Sequence, residues 1–480
     1  MNRAVLVVDV GTSKVHITLV DTGDGSIIDT ASQPYQWIHQ KEGWSQISAD
    51  EIWNAAEKTV ALIVGRNLKT CEIAALSFSY MGDTLLAVDE AGKPLMDVIL
   101  CFDTRSKAQA EKMRAEFGAE RFSEITSGVL GETVCPPKML WIKEELPEIF
   151  AKTAKFLSIQ QYFNSKLGLG TATDYTLACR KCMFDVREKR WSEDLCRYVG
   201  VTPEMLGGPV VPSDTVIGEI SHFGSVALPA PAKVIVGAHD SECGLLGVGC
   251  LPEDGSILGD VAGTYDHLGL FTDRYGASIK LFGGRTCSGP FDNSYICMGG
   301  SVAGPSIDWV VNAFYPNAGK DILTQLFEQA VFDGTQNVML TRSVETGDGS
   351  FRGVHLNARG LDFFEAAVEG VTVPLIDIVD EHIAIRGKGF ACARIGGGGA
   401  RSDKWVQLKA NVFNLPVERV QSNEISALGA ALMAAHALGL YATRKEACER
   451  LIRIRDVFEP QPELVSIYRA RYERMKECLR

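Results

Sequence analysis

The stretch AVLVVDVGTSKVHITLV, residues 4–20, reads as two strands folded about a tight turn. Ala4 to Val8 and Val15 to Val20 are apolar runs rich in β-branched residues, and Asp9-Val10-Gly11-Thr12-Ser13 between them has the composition of a turn. A third strand begins at Ser26 and runs to Thr30. A helix is predicted from Ser48, where Ser48-Ala49-Asp50-Glu51 has capping-box spacing and Ile52, Ala56, Val60 and Ile63 recur along one face. Further strands are expected at Ile73 to Ser79 and Thr84 to Val88. The alternation points to an α/β fold with a mixed sheet.

The opening pattern returns at ILGDVAGTYDHLGLF, residues 257–271: strand, Gly263-Thr264, strand, with Asp260 just upstream. Two such units suggest a duplicated fold, although small-residue hairpins are common enough to arise independently. Between the copies, Ser106 to Val201 is helical and more charged, as an inserted subdomain would be. A Pro-rich segment at 227–232 leads into the strand Lys233 to Val236, and the domain boundary is expected near residue 237. This gives an N-terminal domain of 1–237 and a C-terminal domain of 238–480.

Composition narrows the function. The 480 residues are 46% apolar and 22% charged, with a formal net charge of −12 and no Lys/Arg run, which excludes a nucleic-acid or membrane-surface partner and favours a small molecule. The thirteen Cys are scattered, and only Cys179 and Cys182 have C-x-x-C spacing, so reduced thiols are expected rather than a zinc site. The apolar start is too short for a signal peptide, and no apolar run is long enough to span a membrane. A cytoplasmic protein is expected.

Neither a Walker P-loop nor a G-x-G-x-x-G after a strand is present. Two Gly-Thr turns offer another way to hold a polyphosphate, because Gly admits close backbone N–H groups and Thr or Ser adds a hydroxyl. A third loop, RIGGGGARS at 394–402, precedes a helical stretch from Trp405 to Phe413. It reads either as a flexible loop or as a side-chain-free floor for a flat ligand such as adenine. Asp9 ends a buried strand, where it either caps the turn or holds a donor or metal-bound water. Asp240 ends another apolar strand, as a helix N-cap or as a catalytic base.

Together DVGTSK (9–14), GWSQISADEIW (43–53), LLAVDEAGKPL and CFDTRS within 85–106, GAHDSECGLLGVG (237–249), AGTYD (262–266), GGGGARSDKWVQLKANVFNLPV (396–417) and ISALGAALMAA (425–435) resemble the FGGY carbohydrate kinases, in the actin-like ATPase superfamily. The resemblance spans nearly the whole chain. It implies two actin-like (ribonuclease H-like) α/β domains with a helical insertion, and ATP and sugar in the cleft between them. It implies phosphate contacts from Thr12, Ser13, Gly263 and Thr264, and an adenosine site along Gly397, Gly398, Gly399 and Ala400. Asp9 would support Mg²⁺ and Asp240 would be the base. Sugar-reading positions fall on Gln46, Tyr80, Met81, Asp103 and His239, with Asp240. The motifs are similar to those of L-fuculose kinases, so a ketose is favoured over glycerol; a polyol kinase and a non-catalytic sensing relative are the alternatives. Tyr80-Met81 departs from the Met-His pair of xylulose kinases and the Arg-Glu of glycerol kinases, and Asn411 replaces a common Asp. A homodimer is expected.

Overall fold

A computed structural model describes residues 2–38, 40–67, 70–263, 265–280, 284–342 and 349–479. The chain divides into two compact units, Met1–Gly247 with Thr272–Ile296 and Ser426–Ile452, and Val248–Phe271 with Cys297–Ile425 and Arg453–Arg480.

The first unit is built on the opening hairpin. β1 (Asn2–Val10) pairs antiparallel with β2 (Lys14–Asp21), which pairs with β3 (Ile27–Pro34). After α1 (Ala49–Asn67) the chain enters β4 (Cys71–Tyr80), parallel to β1 with Val8 opposite Phe78. The helix α2 (Tyr175–Arg180) is followed by β5 (Val216–Phe223) and β6 (Val226–Ile235). The seven-stranded sheet has the order β5-β6-β4-β1-β2-β3, with β7 (Ala238–His239) also on β4. Val5, Leu6, Val7 and Val8 are all fully buried, which explains why β1 is a continuous apolar run: both faces of the sheet are covered. One cover is α1, whose Ile52, Ala56, Val60 and Ile63 are fully buried. Each Ile or Val among them contributes about 1.5–3 kcal/mol of burial. The expected capping box is half formed: Ser48 Oγ accepts from the Glu51 amide, but the Glu51 carboxylate accepts from the Gln36 amide instead.

Residues 107–199 supply the helical insertion, with helices at Lys107–Met113, Ala119–Thr126, Cys135–Glu145, Ile159–Lys166 and Glu193–Val199. Much of it packs around a separate core that includes Met113, Phe122, Met139, Phe184 and Leu195.

The first unit does not stop at residue 237: it continues to Gly247 and later takes back two segments. β7 belongs to the first sheet, with Ala238 opposite Ser79 and His239 opposite Tyr80, and α3 (Asp240–Gly247) comes directly after it. The returning segment 426–452 is tied in by Arg444 Nη2 donating to Asp214 (2.8 Å) and by Tyr441 Oη donating to the Thr22 carbonyl (2.6 Å).

The second unit repeats the hairpin. β8 (Ile257–Ala262) runs antiparallel to β9 (Asp266–Thr272) and parallel to β10 (Cys392–Gly396), as β1 does to β2 and β4. β11 (Val417–Val420) and β12 (Ile454–Phe458) extend the order β9-β8-β10-β11-β12. The helices of this unit include α4 (Ala303–Phe314), α5 (Ile322–Gln329) and α6 (Asp403–Phe413). Among the described residues no helix is long and apolar enough to cross a membrane.

Candidate active site

Asp240 stands where an α/β sheet presents chemistry, at the carboxyl end of a strand and the start of a helix. Gly237 makes this possible: its φ is +79°, and a Cβ there would lie 2.3 Å from the Phe78 carbonyl oxygen, so only glycine lets β7 settle against β4. The Asp240 side chain is 41% exposed, and one oxygen lies 3.3 Å from His239 Nε2. On its other side the ring meets Glu242, with Nδ1 2.5 Å from Oε2. Burial works against a charged His239, but Glu242 and then Asp240 outweigh it and push the imidazole up to about 9. His239 is therefore an imidazolium at neutral pH, donating toward a carboxylate at each nitrogen.

The backbone under this ring is also specified. The His239 amide donates to Thr176 Oγ1 (2.9 Å) on α2, whose N-cap is the fully buried Asp174. Asp174 is satisfied by Ser213 Oγ (2.7 Å), Thr176 Oγ1 (2.6 Å) and the Thr176 amide (2.9 Å), although burial still raises its carboxyl above the usual range. The far end of α2 carries Arg180, whose Nε donates to Asp83 at 3.0 Å. Asp83 has φ +54°, a left-handed conformation that Asp tolerates better than most residues. Gly82 before it faces His239 so closely that a Cβ would lie 2.9 Å from Nε2. Lys138, fully buried, donates to the Asp83 and Leu100 carbonyls, both at 2.9 Å. Burial raises the Cys101 thiol to about 12, and the charges of Asp83, Lys138, Asp240 and Arg180 also bear on it. The structure thus gathers Asp83, Cys101, Arg180, His239 and Asp240.

At the first Gly-Thr turn, Thr12 is half-buried and Ser13 exposed. Their carbonyl side is held from below: Trp37 Nε1 donates to the Thr12 carbonyl (2.7 Å), and Tyr35 Oη donates to that of Gly11. Asp9, on β1 opposite Ser79, is close enough that its charge raises the Tyr35 phenol, which burial has already raised more.

The other expected sugar contacts are placed differently. Tyr80 and Met81 are 0% and 1% exposed, in the core, with Tyr80 stacked on Phe78 at 5.3 Å between ring centroids. Strand alternation turns Tyr80 inward, and Asp83 is the polar side chain that reaches Arg180 instead. Gln46 and Asp103 are also buried. Gln46 donates to Asp97 (2.8 Å) and accepts from Arg105 (2.8 Å), while Asp103 takes Arg105 Nε and Nη2 and the Ser45 amide. Both hold Arg105, whose guanidinium lies 4.0 Å over the Trp44 ring.

In the second unit, Gly263 is exposed at the β8–β9 turn; Thr264 lies outside the described residues. The glycine loop is packed against this turn. Gly397 has φ +96°, and a Cβ there would lie 2.6 Å from the Ala262 carbonyl; a Cβ on Gly399 would lie 2.9 Å from Ala262 Cβ and 3.2 Å from the Trp405 ring. Gly398 to Arg401 form a short 3₁₀ turn in which Ala400 is buried, and α6 then starts with Ser402 capping the Trp405 amide. Gly263, Gly398 and Gly399 form part of the wall of a cavity of ≈ 770 Å³, closed on another side by Ile307, Leu323 and Phe327 from α4 and α5. Its volume and its mixture of bare backbone, apolar side chains and a few polar groups suit a nucleoside. Behind the turn, Lys409 from α6 binds Asp260 and Asp266.

Sequence reasoning missed Asp83, Arg180, Glu242, Tyr35, Trp37 and Lys409. Glu242, three residues beyond His239, was the most accessible of these.

Comparison with known proteins agrees along the whole chain. Residues 4–247 match the N-terminal domain, and residues 324–438 the C-terminal domain, of the FGGY family of carbohydrate kinases. A xylulose kinase of Bacillus subtilis is 28% identical over 489 residues, covering 99% of this chain and 96% of that protein. Among solved structures, a gluconate kinase from Lactobacillus acidophilus superposes with TM-score 0.88 at 20% identity, over 100% of this chain and 98% of that one. A ligand-bound xylulose kinase from the same organism gives TM-score 0.88 at 20% identity, over 99% and 97%.

Proposed function

The chain belongs to the FGGY family of carbohydrate kinases, and from that premise we propose an ATP-dependent kinase of a neutral, pentulose-type ketose with Asp240 as its base. The observation that carries this reading is the Asp240 carboxylate, exposed at a strand end with His239 against one oxygen. Phosphoryl transfer asks the protein for positioning and charge compensation more than for covalent help. The sugar hydroxyl oxygen forms a bond to the terminal phosphorus as the bond to ADP breaks, and Asp240 accepts the hydroxyl proton. His239, clamped by Glu242, orients Asp240.

Substrate class follows from charge. A sugar acid needs an uncommitted cation, whereas the cations beside Asp240 are already paired, Arg180 with Asp83 and His239 with two carboxylates. That supports a neutral sugar over an aldonate, and the likeness to xylulose kinases supports a pentulose. L-Fuculose is the neighbouring alternative.

For ATP, the adenosine moiety would occupy the cavity beside Gly398 and Gly399, with phosphates toward the adjoining Gly263 turn. Among the described residues no group of three or more His, Cys, Asp or Glu side chains could hold a metal by itself. That fits Mg²⁺, which binds through one or two carboxylates plus substrate phosphates. Asp9 would be one such carboxylate, and the ion would neutralise charge on the phosphates.

ADP release across ketopentoses, 6-deoxyketohexoses, tetritols, glycerol and gluconate tests the assignment. A ketopentose should give the highest kcat/KM. Preference for gluconate or glycerol would refute the substrate reading.

A further inference from the structure

The buried ionic cluster behind the second turn is not needed to explain the chemistry at Asp240, and its composition is unusual. Lys409 Nζ lies 3.0 and 2.8 Å from the two carboxylate oxygens of Asp260 and 2.7 Å from Asp266 Oδ1. All three side chains are 0–1% exposed. Asp260 belongs to β8, and Asp266 opens β9 directly opposite Ala262, so the ammonium grips both limbs of the hairpin that carries Gly263. Two carboxylates are costly to place behind a site meant for a polyanion, since a buried uncompensated charge is felt at long range.

We propose that Lys409 is a positioning residue for nucleotide phosphates: from α6 it cancels the carboxylates behind the Gly263 turn and fixes the hairpin, without touching the nucleotide. The cluster can be brought to neutrality. One ammonium balances one carboxylate, and burial followed by the charge of Asp266 raises Asp260 strongly, which favours a retained proton there. The same helix and its N-cap line the nucleoside cavity with Ser402, Asp403 and Trp405, one to two turns earlier. α6 therefore links the base end of the nucleotide to its phosphate end. This inference rests on the reading of the Gly263 turn as a phosphate site.

The test is calorimetric binding of adenosine and ADP to the full chain, with melting temperatures measured in parallel. Wild-type protein should bind ADP more tightly than adenosine. Lys409→Met, which leaves the buried Asp260–Asp266 acid pair without a counter-ion, should weaken ADP about ten- to hundredfold while adenosine stays within about twofold. The triple variant Asp260→Asn, Lys409→Met, Asp266→Asn removes every charge at once and should return ADP to within about threefold of wild type. Should Lys409→Met fail to fold, the triple variant decides alone. A triple variant still tenfold or more weaker for ADP, on about the scale of the single-variant loss, would overturn the charge-balance role. Equal losses for ADP and adenosine would overturn it too, by showing that Lys409 only supports the fold. Wild-type protein that binds ADP no better than adenosine would refute the phosphate reading of the turn, and the proposal with it.

Discussion

His239 Nε2 lies 3.3 Å from an Asp240 carboxylate oxygen while its Nδ1 lies 2.5 Å from Glu242, so one ring is shared by two acids. The consequence is a cation that persists well above the ordinary histidine range, at about 9 against 6.5. The Asp240 carboxylate keeps a fixed neighbour throughout the neutral range.

This charge has a pH signature in stability. A raised folded-state pKa means that the stabilisation is complete below pH 6.5 and is lost as pH rises through about 9. It is on the order of 3 kcal/mol if the whole shift is expressed. Urea unfolding of wild type and His239→Gln at pH 6 and pH 10 should show a difference that shrinks at the higher pH. A pH-independent difference would count against an imidazolium. In Glu242→Gln, the His239 ring should titrate at least about one unit lower by NMR.

Asp83, paired with Arg180, and Tyr80, in the apolar core, make contrasting tests. Asp83→Asn breaks the pair with Arg180 and should raise the sugar KM about tenfold or more, leaving the ATP KM nearly unchanged. Tyr80→Phe removes a buried hydroxyl for which no hydrogen-bond partner is found among the described residues. It should leave both KM values within about twofold and stability unchanged or slightly higher. A large sugar-KM effect from Tyr80→Phe with none from Asp83→Asn would reverse the placement.

The glycine loop can be dissected one position at a time. Gly397→Ala puts a Cβ 2.6 Å from a backbone carbonyl at φ +96° and should cost about 1–3 kcal/mol of stability. At Gly398 the nearest atom to a Cβ is 4.0 Å away, so Gly398→Val should melt like wild type yet raise the ATP KM by filling the cavity wall. Thermal melts and ATP saturation curves on the two variants make the comparison. Unaltered ATP affinity in Gly398→Val would place the nucleoside elsewhere.

The paired hairpins were legible because strands buried on both faces leave continuous apolar runs, and because the same Gly-Thr pair recurs between the strands of each. α1 was legible from its single apolar face. Asp83 and Arg180 were not: they are 97 residues apart, and they meet through the packing of α2 against β7, which pairs with β4. Lys409 reaches Asp260 across 149 residues, and its place in an otherwise amphipathic helix gave no sign of a buried cation. The burial of Tyr80 was not legible, because a motif position does not reveal which way a strand residue points. The return of residues 426–452 to the first unit depends on contacts such as Arg444 with Asp214, which no local pattern encodes.

The central claim is that Asp240 accepts the proton of the sugar hydroxyl. Asp240→Asn keeps the shape of the side chain and removes its basicity. Turnover with the preferred ketose should fall about 10²–10⁴-fold, while calorimetry shows sugar and ADP affinities within a few-fold of wild type. Turnover within about tenfold of wild type, with binding intact, would contradict the assignment.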